Sequence, residues 1–424
     1  MSEVSVGAVR LPRLRQGRLG ESMARSAVFR LMEQLAVGSL VLHEGTARHH
    51  FGSDSTAGPN AEVHVHNPRA YAQMLTGGSI AAGETYMRGD WSSPSLIEVT
   101  RLFCANMAVL QRFDASQSWF GRLALRAAHY FNRNTLNGSR ENISAHYDLG
   151  NDFFALFLDP TMMYSSAVYE RADVDLDTAA VAKLEELCRQ LELNADDHLL
   201  EIGTGWGGMA VYAAQHYGCR VTTTTISREQ YDYARARVVE AGLEDRVTVI
   251  CEDYRDLEGQ YDKLVSVEMI EAVGHEFYRD YFNTCSSLLR DDGKMVIQAI
   301  TMADQRYEQA RDAVDFIKRY IFPGGCLPSI AVIADHVARD TDMQIVHLRD
   351  ITEDYALTLQ HWCERFQGRL DDVRDMGFGE EFVRMWEYYL RYCEGGFRER
   401  VIGTVQLAFA KPGYRFARTG SQAG

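Results

Sequence analysis

A run of glycines between two apolar stretches is the part of this sequence most able to hold a ligand. The run His198-Leu-Leu-Glu-Ile-Gly-Thr-Gly-Trp-Gly-Gly-Met209 predicts a short strand, a tight turn and the start of a helix. Glycine permits positive φ and a close approach of backbone to ligand, and a helix N-terminus presents free N–H groups. The run therefore predicts a binding site for a nucleotide-like cofactor. The alternative interpretation, a tight turn that binds nothing, would explain fewer of these glycines.

The position of the nearby acidic residue indicates which cofactor this is. Gly203, Gly205 and Gly208 fit the dinucleotide pattern G-x-G-x-x-G, which expects an acid about 20 residues later, at the end of the next strand. That strand, Cys219–Ile226, contains no acid. Glu201 instead precedes the glycines, which resembles the first motif of Rossmann-like S-adenosylmethionine methyltransferases, where the acid steers the methionine amine. We therefore expect S-adenosylmethionine rather than NAD.

The elements around the motif alternate between helix and strand from about residue 175. Helices are predicted at Thr178–Leu191, Gly208–Tyr217, Arg228–Ala241, Glu276–Leu289 and Phe382–Cys393. Strands are predicted at Leu199–Ile202, Arg220–Thr225, Val247–Cys251, Lys263–Val267, Lys294–Ala299 and Val401–Ala410. This order predicts an α/β fold of the Rossmann-like class I methyltransferase type, with a doubly wound, seven-stranded, mostly parallel sheet that binds ligands at the carboxyl ends of its strands. An insertion from Gln305 to about Ala356 is long enough to form a lid.

The preceding segment, from Ser22 to about Gln117, predicts a small mixed domain. It contains a strand at Val63–His66, a short helix at Pro68–Leu75 that Gly77-Gly78 ends, and a helix at Leu96–Leu110. The boundaries are 1–118 for this domain, 119–140 for a basic linker, 141–412 for the catalytic domain and 413–424 for a tail. The amino-terminal domain contains four histidines of interest, His49, His50, His64 and His66. We expect them to be exposed strand and loop residues, because no helical pair or cysteine partner suggests a metal site.

Composition and charge restrict the class of protein. A net charge of −15 argues against nucleic acid as a partner, because phosphate binding needs clustered basic residues. Two basic and apolar segments, with Arg10, Arg13, Arg15, Arg18, Arg25 and Arg30 in one and Arg122, Arg126, Arg133 and Arg140 in the other, could instead lie on an anionic lipid surface or be an ordinary tail and helix. The eight cysteines are scattered without a C-x-x-C pair, and no apolar run suggests a membrane span or signal peptide. These features favour a cytoplasmic protein.

Ten segments, in order along the chain and including the glycine run, carry a specific family resemblance. They are His146-Tyr-Asp-Leu-Gly-Asn-Asp-Phe-Phe154, Leu158-Asp-Pro160, Met163-Tyr-Ser165, the glycine run, Thr225-Ile-Ser-Arg-Glu-Gln230, Asp253-Tyr-Arg-Asp256, Ser266-Val-Glu-Met-Ile-Glu-Ala-Val-Gly274, Tyr320-Ile-Phe-Pro-Gly-Gly-Cys-Leu-Pro328, Asp354-Tyr355 and Trp362-Cys-Glu-Arg-Phe366. Together they resemble cyclopropane-fatty-acyl-phospholipid synthases, which are related to the mycolic acid cyclopropane synthases. The likeness runs from about Val63 to Ala410 and includes the amino-terminal segment Gly83–Trp91.

The resemblance implies methyl transfer from S-adenosylmethionine to the double bond of an unsaturated phospholipid acyl chain, at the inner face of the membrane. It also implies a lipid-presenting role for the amino-terminal domain, peripheral membrane contact and a homodimer. The cofactor contacts that it implies are Tyr147, Tyr164, Ser165, Glu201, Gly203, Gly205, Thr225, Gln230, Asp253 and Tyr254. Aromatic faces near the reacting carbon would stabilise the carbocation that attack leaves.

In this family, bound bicarbonate removes the proton from that carbocation. Glu271, Tyr355 and Ile300 match three of the positions that hold the bicarbonate. Ser166 and Gln298 stand where the family has a cysteine and a histidine, so a charge-assisted contact is lost and anion affinity should fall. Both replacements put the product in doubt but not the methyl transfer. Cys393 matches a cysteine once proposed as a nucleophile, and its acidic neighbours favour a structural role.

Three alternatives stay open at this stage. The same methyl transfer could leave a methyl or methylene branch instead of a cyclopropane ring. The chain could be a binding module with this fold, against which Glu271 and Tyr355 argue. It could also methylate a small polar acceptor, against which the insertion and the amino-terminal domain argue.

Overall fold

The computed structural model describes residues 18–53, 58–115 and 149–415. Several sequence predictions fall outside the described residues: the basic linker, the cofactor contact Tyr147, the arginines Arg10, Arg13 and Arg15 of the first basic segment, and residues 416–424 of the tail. The described part contains two β-sheets. No helix in these ranges is long and apolar enough to cross a membrane.

The amino-terminal region combines four helices with a four-stranded sheet. The helices are α1 (Arg18–Met32), α2 (Arg69–Met87), α3 (Leu96–Ala105) and α4 (Met107–Ala115). The strands are β1 (Ser39–Glu44), β2 (Ala47–Gly52), β3 (Asn60–Val65) and β4 (Trp91–Ser92), in the spatial order β2-β1-β3-β4. Strands β1 and β3 are parallel, and the other neighbouring pairs are antiparallel.

One helix prediction in this region is confirmed and one was wrong in extent. The predicted break at Gly77-Gly78 is confirmed, because α2 consists of two helical segments joined by a kink at Gly78, whose φ of 62° and ψ of −146° are non-helical. The predicted helix Leu96–Leu110 is two helices that meet at Asn106, whose side-chain amide donates to the carbonyls of Val37 and Leu102. Local hydrogen bonds of this kind compete with the helix ladder.

The histidines of the amino-terminal sheet are partly or fully exposed, as predicted, and belong to β2, β3 and the residue after it. His64 stacks on His43, and both rings lie close to the carboxylate of Glu62. Arg25 is not a free basic residue of the first segment, because it forms an ion pair with Glu44 and stacks on Phe29.

The second sheet has seven strands and confirms the predicted doubly wound fold. The strands are β5 (His198–Ile202), β6 (Arg220–Thr224), β7 (Val247–Ile250), β8 (Tyr261–Val267), β9 (Leu289–Met302), β10 (Gln344–Asp350) and β11 (Ile402–Ala410). Their spatial order is β7-β6-β5-β8-β9-β11-β10, and β11 is antiparallel to both of its neighbours. The helices are α5 (Asn151–Ala155), α6 (Leu176–Leu191), α7 (Gly208–Tyr217), α8 (Arg228–Glu240), α9 (Tyr278–Leu288), α10 (Tyr307–Asp312), α11 (Phe316–Tyr320), α12 (Ile330–Asp340), α13 (Thr352–Gly368), α14 (Leu370–Asp375) and α15 (Glu380–Arg398).

The predicted insertion from Gln305 to about Ala356 is only partly an insertion. Its last part forms the edge strand β10 and the first turn of α13, and α12 buries Ile333 and Val337 in the core beside the sheet. The remaining residues, 305–328, form α10, α11 and a loop that contacts Glu271 of the site. There the Tyr278 hydroxyl donates to the Cys326 carbonyl at 2.6 Å, and the Cys326 N–H donates to the Glu271 carbonyl at 2.8 Å.

Helix α15 packs between the two regions. A side chain at Gly83 of α2 would clash with Phe316 and Tyr388, since an added Cβ would lie 2.5 Å and 2.9 Å from their rings. The Tyr86 hydroxyl donates to Glu387 at 2.7 Å, and the Thr100 hydroxyl donates to the Arg391 carbonyl at 2.9 Å. Close packing of this kind makes α15 part of one hydrophobic cluster that runs through both regions.

Candidate active site

The glycine loop between β5 and α7 forms the first part of the site. Gly203, Gly205 and Gly207 have φ values of 101°, 51° and 82°, which other residues rarely adopt. A Cβ added to Gly205 would meet no atom within 4 Å, so the loop faces open space on this side. Helix α7 begins directly after the loop and points its N-terminus at that space. The predicted bounds of this helix are confirmed.

Glu201 lies next to the loop, at the carboxyl end of β5, and is almost completely buried. Its Oε2 accepts a hydrogen bond of 2.6 Å from the Thr223 hydroxyl. Burial raises the pKa of this carboxyl to about 8, against which Thr223 and the nearby Lys183 act. An ammonium group beside Glu201 would stabilise its charged form, as the methionine amine of the expected cofactor would do.

The other predicted cofactor contacts follow the ends of β6 and β7. The Thr225 hydroxyl donates to Oε1 of Gln230 at 2.8 Å, and both residues are buried. Asp253 accepts from Nε and Nη2 of Arg255 at 2.8 Å and 2.7 Å, so its carboxylate is held by an arginine that sequence reasoning did not single out. Tyr254 follows Asp253 and packs edge-on against Tyr281.

Lys183 of α6 is a second residue near the site that sequence reasoning missed. Its side chain is completely buried, and Nζ donates to the Ser165 hydroxyl at 2.9 Å. Burial lowers the pKa of this lysine to about 8, while the charges of Glu268, Asp159 and Glu201 act in the opposite direction. The available signal was its spacing, since Lys183 lies four residues after Ala179 and four before Leu187 on the buried face of α6.

Three of the five residues predicted to hold an anion, Ser166, Gln298 and Tyr355, donate instead to the carboxylate of Glu268. The Ser166 backbone N–H and Gln298 Nε2 donate to Oε1 of Glu268 at 2.9 Å and 2.8 Å. The Tyr355 hydroxyl donates to Oε2 at 2.8 Å. The Ser166 hydroxyl does not take the predicted part, because it donates to the neighbouring Ala167 carbonyl at 2.9 Å. Burial raises the pKa of the Glu268 carboxyl, and the three donors and Lys183 oppose that shift.

A chain of three hydrogen-bonded side-chain amides, Gln190, Gln406 and Gln298, leads to the Glu268 carboxylate. Gln190 Nε2 donates to Oε1 of Gln406 at 2.7 Å, and Gln406 Nε2 donates to Oε1 of Gln298 at 3.0 Å. Gln298 then donates to Glu268, so all three amides point their donor ends toward the carboxylate. Hydrogen bonds aligned in this way polarise one another and favour negative charge at the end of the chain.

Glu271 lies beside Glu268 and differs from it in its partners. Its Oε1 accepts from the Ile300 backbone N–H, so these two residues bond to each other, whereas the resemblance implied that both hold a bicarbonate ion; its Oε2 is buried without a hydrogen-bond partner among the described residues. Burial, together with the charge of Glu268, raises the pKa of Glu271 to about 8. Near neutral pH, Glu271 therefore holds a proton more readily than an unperturbed glutamate does.

Aromatic side chains form the wall between the cofactor loop and these glutamates. Tyr164 stacks on Trp362 with ring centroids 5.2 Å apart, and its hydroxyl lies 2.8 Å from that of Tyr389. Phe322 packs against both tyrosines. Cys393, on the same helix as Tyr389, is a poor candidate nucleophile, because burial raises the pKa of its thiol well above the usual range.

Fold and site together define a class I S-adenosylmethionine-dependent methyltransferase. The open space at Gly205 and the buried Glu201 at the strand end fit the cofactor. The chain belongs to the mycolic acid cyclopropane synthetase family, whose model matches residues 134–407.

Similar proteins extend this assignment beyond the catalytic half. The chain is 39% identical to tuberculostearic acid methyltransferase UfaA1 of Mycobacterium tuberculosis, over 88% of each chain. It is 37% identical to the cyclopropane-fatty-acyl-phospholipid synthase of Escherichia coli K12, over 84% of this chain and 91% of the relative. The structure of mycolic acid cyclopropane synthase CmaA1 complexed with SAH and CTAB matches with a TM-score of 0.60 and 30% identity, over 64% of this chain and 98% of that one.

Proposed function

We propose that this methyltransferase acts on the double bond of an unsaturated acyl chain in a membrane phospholipid. The observation that carries the proposal is the cluster of side chains beyond the glycine loop, here called the pocket, which combines an aromatic wall with two half-buried glutamates, Glu268 and Glu271. An alkene has no proton to remove before it attacks, so its reaction needs alignment, dryness and stabilisation of positive charge afterwards. A polar acceptor would not need the aromatic wall.

The residues of the pocket suit these demands. The bound cofactor supplies an electrophilic methyl group, and Glu201 orients it by holding its amine. The faces of Tyr164 and Trp362 stabilise a cation that forms next to them, by about 0.5–2 kcal/mol for each ring. Residues 305–328 contact the site and would help to keep water out, because Cys326 of this segment is hydrogen-bonded to both Tyr278 and Glu271.

The amino-terminal region supplies the second support. An apolar cavity of about 120 Å³ lies between its sheet and helices, with Leu40, Met74 and Phe103 among its lining residues. Tyr388 and Tyr392 of α15 close one side of this cavity, while Tyr389 of the same helix contacts Tyr164 in the site. We infer that this region presents the lipid to the catalytic domain, that the protein binds peripherally to the inner face of the membrane, and that it acts as a homodimer in the cytoplasm.

The first candidate product is a cyclopropane ring, as the name of the Escherichia coli relative indicates for that protein. The second candidate is a methyl or methylene branch. It is favoured by the match over 88% of the chain to a relative that carries a methyltransferase name, and by Ser166 and Gln298 at the two positions where the family resemblance expects cysteine and histidine.

The test is incubation of the full chain with isotope-labelled S-adenosylmethionine and vesicles of mixed unsaturated phospholipids. We expect labelled acyl chains that are heavier by CH₂ for a ring or a methylene branch and by CH₄ for a saturated methyl branch, and fragmentation distinguishes a ring from a branch. Vesicles of saturated phospholipids are the control and should take up no label. Equal labelling of both vesicle types, or labelling of a head group alone, would contradict the proposal.

A further inference from the structure

Glu268 occupies the place that the family resemblance assigns to a bicarbonate ion. Two of the groups expected to bind that ion, Gln298 and Tyr355, donate to the Glu268 carboxylate, and Ser166 contributes its N–H. An ionised carboxylate has about four acceptor sites, and these donors use three of them. The residues present therefore do not fit bicarbonate, because a side chain with the same acceptor group already lies among the donors.

The backbone at Glu268 shows that this placement is not incidental. Glu268 follows the end of β8 with a φ of 48°, a conformation that favours glycine. Its N–H donates to the Gln298 carbonyl at 2.7 Å, which fixes the unusual turn. A non-glycine residue in this region costs about 1–3 kcal/mol and persists where the surroundings or the function require it. Here the turn directs the Glu268 carboxylate toward its three donors, Ser166, Gln298 and Tyr355.

We propose that Glu268 is the general base of the reaction and that the protein does not use bicarbonate. This inference rests on the proposed function, since it names the group that receives the proton. In the reaction, the π electrons of the alkene form a bond to the methyl carbon while its bond to sulfur breaks, which leaves a cation on the other alkene carbon. Oε2 of Glu268 then takes a proton from the added methyl group.

The electron pair of that C–H bond accounts for either product. It closes the bond to the cationic carbon and gives a cyclopropane ring. If a hydride has first shifted from the methyl-bearing carbon to its cationic neighbour, the same pair forms the double bond of a methylene branch. Glu268 becomes neutral in both cases and returns its proton to solvent when the site opens. Neither the ring nor the methylene branch needs an oxidant, reductant or further reactant, whereas a saturated methyl branch would need a separate reductant.

The hydrogen-bond partners of Glu268 and Glu271 indicate different roles for them in the reaction. Glu268 accepts from three donors and lies near Lys183, which favours its ionised form. Glu271 accepts from one backbone N–H and has an unpaired oxygen, which favours its protonated form. Pairs of carboxyl groups whose environments separate their proton affinities supply one base and one neutral neighbour. Both glutamates belong to the motif Ser266–Gly274, but only Glu271 was predicted from it.

The test compares variants of the full chain in buffers stripped of carbon dioxide and in buffers with added bicarbonate. We expect the unchanged protein to turn over equally in both. Glu268→Gln keeps the shape but cannot accept the proton, so turnover should fall by about 10²–10⁴-fold with unchanged affinity for S-adenosylhomocysteine. Glu258→Gln, at an exposed glutamate of the same domain, should change nothing.

Glu268→Gly opens the pocket and suits the left-handed backbone. We expect bicarbonate to increase its turnover by at least about tenfold, in keeping with the effect of restoring a base. Glu192→Gly makes the same replacement at another glutamate with positive φ, 56°, far from the donors, and should show no response to bicarbonate. Binding of ¹³C-labelled bicarbonate, followed by NMR, should occur with Glu268→Gly and not with the unchanged protein.

Two results would overturn the inference: loss of the unchanged protein's turnover when bicarbonate is removed, or full turnover by Glu268→Gln. Failure of the proposed function is distinct, because the unchanged protein would then label no unsaturated acyl chain in any buffer. The NMR measurement still decides about the pocket in that case, since bicarbonate bound by the unchanged protein would contradict its occupation by Glu268.

Discussion

The site consists of two pockets at the ends of neighbouring strands, with a buried glutamate, Glu201, in one and a half-buried glutamate, Glu268, in the other. At the end of β5, Glu201 accepts one hydrogen bond, and the glycine loop beside it leaves open space. After β8, Glu268 accepts three hydrogen bonds, and its own carboxylate fills the pocket. The first pocket is completed by a ligand that carries a positive charge. The second pocket is complete without an added ion.

A protein can supply a catalytic anion in two ways, as a bound free ion or as one of its own side chains. A free ion must bind before each reaction, so its concentration controls the rate. A side chain is always present but must be held by the backbone, and at Glu268 this requires a left-handed residue. The following predictions test whether the two pockets differ in this way.

The largest effect should come from filling the open pocket. Gly205→Val places a branched side chain where the cofactor backbone would lie, so the affinity for S-adenosylhomocysteine should fall by at least about 100-fold. Calorimetry measures this. Gly242→Val is the control, because Gly242 also has a positive φ, 63°, and open space around it but lies after α8. Undiminished affinity in a folded Gly205→Val protein would show that the cofactor does not approach this loop.

Removal of one donor from the filled pocket should have the next largest effect. Tyr355→Phe removes a hydrogen bond to a charged group, worth about 1.5–3 kcal/mol, so kcat should fall by about 10- to 100-fold. The affinity for S-adenosylhomocysteine should not change. Tyr217→Phe is the matched control, because the Tyr217 hydroxyl also donates to a glutamate, Glu185 at 2.9 Å, at the far end of α7. Equal kcat values for both variants would remove Tyr355 from the pocket's function.

A pH series should separate the two glutamates further. Burial raises the pKa of Glu201 to about 8 in the protein without cofactor, so the ionised fraction falls as the pH is lowered from that value. We expect the affinity for S-adenosylhomocysteine to fall by up to about tenfold per pH unit between about pH 8 and pH 6. Glu201→Gln should bind weakly and without this dependence. A flat profile for the unchanged protein would mean that Glu201 does not pair with the ligand amine.

The smallest effect should come from restoring the usual family residues. Ser166→Cys with Gln298→His rebuilds the pattern that the resemblance associates with bicarbonate, but Glu268 still fills the pocket. We therefore expect turnover to stay independent of bicarbonate. The same pair combined with Glu268→Gly should respond to bicarbonate at least as strongly as Glu268→Gly alone. A clear response of the pair by itself, measured as acyl-chain labelling, would show that Glu268 leaves room for the ion.

The cofactor pocket was predictable because its parts are contiguous in sequence. One run of residues supplies β5, the glycine loop and α7, and local rules for glycine and helix ends describe them well. The strand β10 was missed because an edge strand with mostly exposed residues lacks the apolar alternation of a core strand. Its residues were therefore assigned to the insertion.

The second pocket was predictable only in part, because its donors come from separate segments and meet only after folding. The family resemblance identified Ser166, Gln298 and Tyr355, but not that they share one partner. The signal for Glu268 was present, since an acid directly after a buried parallel strand lies at the edge of the sheet where ligands bind. Its left-handed backbone could not be foreseen, because glutamate rarely adopts that conformation.

The side chains of helix α15 are suited to a protein that contains both regions, so the amino-terminal region cannot be removed without changing this helix. Tyr388 and Tyr392 face the amino-terminal cavity, whereas Tyr389 and Trp386 belong to the aromatic core of the catalytic domain. Loss of the amino-terminal region alone would expose the rings of Tyr388 and Tyr392 to water and create an apolar surface patch that favours aggregation. CmaA1, which matches this chain over 98% of its own length and 64% of this one, would therefore need different residues on that side of the equivalent helix. The two regions must be inherited, or lost, together with the sequence of α15.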